Sequence, residues 1–409
     1  MNILMKKLSI LFLFEGFFSF SQPVITNYRE ENSPLTFNTV RCIAIQSQTK
    51  WFGTDDGLCS FDGQNWETFT TTNSPLINDD IRALKVENDS TIWIGTMQSG
   101  LYKKQHSEWI NFNESNSGLH DNLVRGIEID STGKIWLATS EGVSMYDGTN
   151  WYNWNVTNNG LMTNNITCII TGFQNEKYVG TINGGLIYFD SLLNYNIHSI
   201  VESGLPDNSS LAIDIDSAGK PWFATPAAGL VTDLGIGGPW ERWNTSNSPI
   251  PTNGLTSIAI NPVDDRLFMG TQVAGIVIKK DNNWFNYNTQ NSSLPEDYIT
   301  CISHESQYIK WAGTYNSGVV RIEESSASMS EFKLQELQLF PTIISANEPL
   351  KFNHEINAHV SIIDQMGRHL FTHCLIDQRE FNPGLLHKGY YIVKVEVFDR
   401  HYFFNIVVE

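Results

Sequence analysis

The chain has 409 residues, a formal net charge of −18 and only 17% charged side chains, with 12 Trp among 12% aromatics. Such acidity excludes a nucleic-acid surface, which needs clustered Lys and Arg against phosphate, and it excludes docking on anionic lipid. The length exceeds one ordinary core and suits a ring of small sheets plus one further domain.

The first residues read as an export signal. Lys6 and Lys7 form a basic start, residues 8–20 an apolar run interrupted by Glu15 and Gly16, and Ser19-Phe20-Ser21 a small-residue cleavage site. A signal peptide over residues 1–21 is expected, with Gln22 as the mature start. The run is too short for a stable spanning helix and no later stretch is apolar enough, so no transmembrane segment is expected in the mature protein.

From there one motif recurs seven times: an aromatic, an apolar residue, Gly or Ala, then Thr. It begins at Trp51, Trp93, Trp136, Tyr178, Trp222, Phe268 and Trp311, and successive copies lie 42 to 46 residues apart. A β-rich period in the low forties is the mark of a propeller blade. The second copy shows the grammar: a strand from Ile81, a turn at Asn88-Asp89-Ser90, the motif strand, a turn ending at Gly100, a third strand from Leu101 and a fourth from Trp109. Asp130-Ser131-Thr132-Gly133 and Asp216-Ser217-Ala218-Gly219 open their turns with a capping carboxylate and close them with Gly. Neither is a phosphate loop, and Gly235-Ile236-Gly237-Gly238 is a loop without a dinucleotide fingerprint.

The fourth strand recurs at Trp66, Trp109, Trp151, Trp240 and Trp284, with a degenerate copy at Ile197. After the seventh motif the chain runs through Val319 to Ile322 and no fourth strand follows. The missing copy stands at the N-terminus, around Ile25 to Glu30. A ring must close or expose edges and apolar faces, so this segment is expected beside Val319 and Ile322.

Of five cysteines, Cys42, Cys168 and Cys301 share one place in three repeats, where others have Ala83, Gly126 and Ser257. That pattern reads as small-residue packing, with Cys59 and Cys374 outside it; an odd count leaves at least one free thiol.

The linkers into the first strands and the second turns are expected on one face, around the channel mouth. Asn38, Asp79, Asn122, Asn164, Asn208, Asn253 and Asp297 align there as a polar ring, read as Asx-turns rather than as a metal-binding ring because only two members are charged. Three residues on stand Arg41, Arg82 and Arg125, and in three other blades Thr167, Thr256 and Thr300. The arginines are candidates for a carboxylate or sulfate ligand, or for pairing with Asp55, Asp56 or Glu141. Tyr315 and Tyr298 are candidates to stack on a sugar. No Gly-x-Ser-x-Gly, His-Glu-x-x-His or Cys-x-x-Cys occurs, and no catalytic residue, metal or cofactor is assigned. His369, His373 and Cys374 resemble a metal spacing, but strand residues four apart lie about 13 Å apart.

Past residue 324 the composition shifts. Residues 325–336 form a polar linker and 337–409 a small β-sandwich, with strands at Val360-Ser361-Ile362-Ile363-Asp364, from Gly389 to Val395 and from Tyr402 to Val408. The fold class is therefore all-β: a seven-bladed β-propeller over 22–324, its last blade completed by the N-terminal strand, followed by a C-terminal β-sandwich.

Two families share these patterns. The repeats resemble two-component regulator propeller repeats, Asn122 to Gly142 matching nearly throughout. That family's repeats usually form periplasmic sensor regions of hybrid histidine kinases, often for glycans; this chain has no kinase or receiver segment, so signalling does not carry over. The tail resembles the C-terminal sorting domain of the type IX (Por) secretion system of Bacteroidetes, through Leu339-Phe340-Pro341, Ile363-Asp364-x-x-Gly367-Arg368, Leu386-x-x-Gly389-Tyr390 and the final strand; Thr342 replaces that family's usual Asn. The resemblance implies the type IX machinery as a partner and export across the outer membrane, followed by removal of the tail or surface attachment. The expected product is a monomeric, secreted or surface-held binding module for a glycan or protein. The alternative is a propeller-fold polysaccharide lyase or glycoside hydrolase, whose acids and bases can be scattered over several blades.

Overall fold

The structure, a computed structural model, describes residues 23–233, 238–324, 339–340, 343–345, 349–364, 368–384, 386–397 and 400–408. The expected signal peptide, the linker, Pro341-Thr342 and the turn at 365–367 lie outside these. The chain divides into two compact units, residues 21–325 and residues from 326 on.

Each letter of the repeat has a physical job. The Thr hydroxyl of all seven motifs donates to the carbonyl of the Gly that ends the second turn, at 2.6–2.9 Å. That Gly sits at positive φ, from +75° to +130°, where an L side chain is strained. The motif aromatic is held by its indole N–H: Trp136 donates to Asp130, Trp222 to Asp216, Trp93 to Glu87, Trp311 to Glu305 and Trp51 to Gln46. The motif Gly gives room to a first-strand side chain: a Cβ on Gly53, Gly180 or Gly313 would meet the Sγ of Cys42, Cys168 or Cys301 at 2.5–2.7 Å. Blade three inverts the arrangement, pairing Gly126 with Ala138. The three thiols therefore occupy the small packing position expected of them; they are free, and burial pushes Cys168 and Cys301 up to about 11.

Four antiparallel strands make each blade, and there are seven blades. The seventh comprises Ile299–His304, Ile309–Thr314, Val319–Glu323 and, as its fourth strand, Val24–Tyr28. Val24 lies opposite Glu323 and Tyr28 opposite Val319. The ring thus closes by the N-terminal strand, without a covalent link. Its hydrophobic core lies between neighbouring blades: Ala44, Trp51 and Phe69 of blade one pack on Ile81, Ile94 and Tyr102 of blade two. The closing junction is built alike, from Phe52 and Phe61 against Trp311 and Val319, with Tyr28 stacked on Trp311 at 5.7 Å. Each such side chain contributes roughly 1.5–3 kcal/mol on burial.

The first strands of successive blades neighbour one another all the way round, blade seven meeting blade one. They are the innermost strands and line the axis. Two helical turns were not foreseen: Val156–Asn159, capped by Asn155 and Gly160, and Ile200–Ser203, capped by Ser199 and Gly204.

In the C-terminal unit six strands form one hydrogen-bonded network. Leu350–Asp364 pairs with His369–Phe381 along one edge and with Leu339–Phe340 and Gly389–Val397 along the other. Arg400–Val408 pairs with Gly389–Val397 and, in parallel, with Ile343–Ile344. Val360, Ile362, Val393, Val395 and Ile406 form its core. His369, His373 and Cys374 fall on the strand His369–Phe381, but their side chains lie outside the described ones. Among the described residues no helix is long and apolar enough to cross a membrane, and no group of His, Cys, Asp or Glu could hold a metal ion.

Candidate ligand site at the channel mouth

The linkers and second turns share one rim. In five blades the N–H of the first second-turn residue donates to the carbonyl of the residue just before the inner strand: Asp55 to Thr39, Met97 to Asp80, Ile182 to Asn165, Gln272 to Gly254 and Tyr315 to Tyr298.

The aligned Asn and Asp residues are scaffold. Each of the seven side chains accepts a backbone N–H eight residues upstream, at 2.7–3.1 Å, cinching the linker into a loop. These bonds reach back along the linker; they do not open the inner strand as Asx-turns do. A second Asn in six linkers (Asn32, Asn73, Asn116, Asn158, Asn247, Asn291) accepts from the N–H three residues upstream. It also donates to the carbonyl five residues upstream.

The arginine position has a scaffold default too. Thr167, Thr256 and Thr300 donate their hydroxyls to the first-strand carbonyls of the next blade, at Ser210, Ile299 and Val40. Arg125 makes the same bridge to Ile166, at 3.4 Å, and also bonds Asn165. Arg41 and Arg82 depart from the default. Arg41 grips Asp55 with two bonds of 2.7 Å, and these bonds make the Arg41 guanidinium hold its proton more tightly. Arg82 donates to Asp80 at 2.6 Å and lies 3.8 Å from Asp55. Burial pushes the Asp80 carboxyl up. Of the expected acidic neighbours, then, Asp55 pairs with arginine. Asp56 makes no ion pair among the described residues. Glu141 instead accepts from Asn164 at 3.0 Å and stands apart from the cluster. Tyr315 stacks on Tyr298 at 4.8 Å with ring planes 9° apart, and Arg41 lies over Tyr315 at 5.4 Å. Tyr298, Tyr315, Arg41, Asp55, Asp80, Arg82 and Arg125 thus make a strip over blades seven, one, two and three. The corresponding places in blades five and six hold Ser209, Leu211, Pro226, Gly254, Thr256 and Gln272, none of them charged.

A second set of charges lies three residues further along the same strands, about 10 Å deeper. Lys85 of blade two pairs with Glu128 of blade three at 2.5 Å. Asp214 of blade five accepts from Ile260 N at 2.6 Å and from its neighbour Ile215 N at 2.8 Å. Burial pushes Asp214 up to about 6; the two amide bonds and Lys85 oppose the rise, and the Glu128 charge adds to it. Burial pushes Glu128 up as well, against the pull of Lys85. Blades two and three do not adjoin blade five, so Lys85 and Glu128 act on Asp214 across the channel. Sequence reasoning missed all three, along with Asp80 and Asn165. The available signal was the inner-strand alignment, in which the same place holds Ala44, Ile170, Ala259 and Ser303.

Fold and rim together define a closed seven-bladed propeller with a polarised mouth. Neither a protein-family model nor a curated relative matches the sequence. Solved structures do. One is the extracellular domain of a B. thetaiotaomicron protein, BT3049, described as a hybrid two-component system: TM-score 0.65, 16% identity, covering 94% of this chain and 57% of that one. Another is PorZ, a surface component of the type IX secretion system of Porphyromonas gingivalis: TM-score 0.61, 15% identity, 91% of this chain and 59% of that one. A third, virginiamycin B lyase from Staphylococcus aureus, has TM-score 0.60 and 12% identity and covers 74% of this chain and 100% of the enzyme. At these identities the likeness is one of fold, and the chain spans less than two thirds of the first two proteins.

Proposed function

We propose that this chain is a secreted or surface-held propeller binding module that takes a glycan or protein ligand at its channel mouth. The observation that carries this reading is the polarity of the rim: charge and aromatic faces gather over blades seven to three, while the corresponding places in blades five and six hold no charge. A purely structural ring has no reason for that bias, because the Thr default already bridges its blades. Two of the similar structures are an extracellular domain and a surface component, in keeping with this location. We further propose the division foreseen from sequence: signal peptide 1–21, propeller 22–324, linker 325–336 and a type IX sorting domain over 337–409. Glycan-array and surface-protein binding by the mature protein tests the first part. Fusing residues 325–409 to a periplasmic reporter in a bacterium with type IX secretion tests the second; a reporter that stays periplasmic refutes it.

One observation favours the enzyme reading, a lyase or glycoside hydrolase. Asp214 and Glu128 are carboxyls raised by burial in the channel, a usual route to a general acid or base. Incubating bound oligosaccharides with the protein between pH 4 and 8 decides it, since turnover abolished by Asp214→Ala would establish catalysis.

A further inference from the structure

The place occupied by Arg125 needs only a hydroxyl. Thr at that place in blades four, six and seven bridges to the next blade, and Arg125 makes the same bridge with one nitrogen. The rest of its guanidinium is surplus to the scaffold. Its recorded partners, Asn165 and Ile166, are neutral, and it makes no ion pair among the described residues. The nearby Asp121 is committed to Ser140 and Leu123. Half-burying a cation this way has a cost, which the Asp121 charge offsets in part and the charge of Arg82 adds to. An anion at Arg125 relieves both.

The neighbouring groups narrow the anion's carrier. Arg82 Nε, Asp80 Oδ1 and Asn78 Oδ1 are buried without hydrogen-bond partners, one donor and two acceptors within a few residues. Asp55 and Asp80, each paired with an arginine and partly exposed, offer acceptor oxygens to a glycan's hydroxyls. Tyr315, stacked on Tyr298 and with Arg41 5.4 Å from its ring centre, is still 38% exposed and offers that exposed aromatic surface to a sugar.

We propose that the strip from Tyr298 to Arg125 binds an acidic glycan, with one sugar against the exposed surface of Tyr315 and a carboxylate on Arg125. This rests on the binding-module reading above. The test is an array carrying galacturonate, glucuronate and sialic-acid glycans, each beside its carboxyl-reduced counterpart. The proteins compared are the mature chain, Arg125→Thr and Tyr315→Ala. Arg125→Thr puts the repeat's own residue at that place, so it keeps the blade bridge. The expected result is binding of the acidic members about 10- to 100-fold tighter than of the reduced ones, the range for a charge-assisted pair. Arg125→Thr should erase that difference, and Tyr315→Ala should weaken both forms. Equal binding of acidic and reduced glycans, or an acid preference that survives Arg125→Thr, overturns this inference and leaves the binding module standing. Failure to bind any glycan on the array, with a surface protein bound instead, overturns the glycan assignment and keeps the protein-ligand arm of the function.

Discussion

Blades four to six and blades seven to three share the two bonds that recur in every repeat but differ at the rim. The motif Thr closes its turn in all seven blades, and the linker Asn or Asp reaches back eight residues in all seven. At the arginine place, Thr256 in one sector bridges two blades, while Arg41 and Arg82 in the other give up that bridge for Asp55 and Asp80. In a repeat protein the uniform bonds report folding; function is sought where a blade gives one up.

The comparison assumes that the ring is equally sound all round, and the seam between blades seven and one is where that assumption breaks first. A chain beginning at Phe37 lacks the strand Val24–Tyr28, which strips Val319–Glu323 of its outer partner and opens the Trp311 cluster. We expect loss of cooperative unfolding by calorimetry, the largest effect foreseen here; an unchanged melt would show that the seam is not what closes the ring. Next in size is Glu324→Ala. Glu324 is 3% exposed, accepts two 3.0 Å bonds from Arg266 and pairs with Lys310. Removing it takes the carboxylate from buried Lys310 and from Arg266, which keeps Asp264, at a cost of about 3–5 kcal/mol in urea unfolding.

His304 gives a pH signature in the same blade. Its ring packs edge-on against Phe268, and burial, reinforced by the Lys310 and Arg266 charges, lowers it to about 4. The unfolded chain binds the proton near 6.5, so it takes up more protons than the fold between those values, and stability falls as pH drops from 6.5 to 4. The loss approaches about 3 kcal/mol. His304→Phe should flatten that stretch of the stability profile, and an unaltered slope would assign the acid sensitivity elsewhere.

Much of this was legible beforehand because the motif aromatic, the Gly and the Thr act within one blade and repeat at one period. Ring closure was legible from a missing fourth strand after Ile322 and a surplus one before Ser33. The linker staples were not: a bond from Asn122 back to Glu114 has no composition signal beyond abundant Asn. Nor were the charges in the channel. Lys85, Glu128 and Asp214 stand in three blades, 43 and 86 residues apart in sequence. They come within electrostatic reach only because the inner strands run side by side round the axis, six of them with a bulge just after the first residue. The alternation of a single strand cannot show which of its residues faces a blade two places away.

The smallest effects bear most directly on the two sectors. Thr256→Ala removes a bridge to Ile299 and leaves its carbonyl unpaired, which should cost about 1 kcal/mol and leave ligand affinity unchanged. Arg125→Thr should do the reverse. A Thr hydroxyl can take over the bond to Ile166, the half-buried charge is gone, and stability should stay within about 0.5 kcal/mol of the parent while affinity falls. Opposite outcomes at one backbone place would separate scaffold from site without any other change to the ring. If both variants lose stability alike, the arginine is simply a longer threonine, and the polarity of the rim needs another cause.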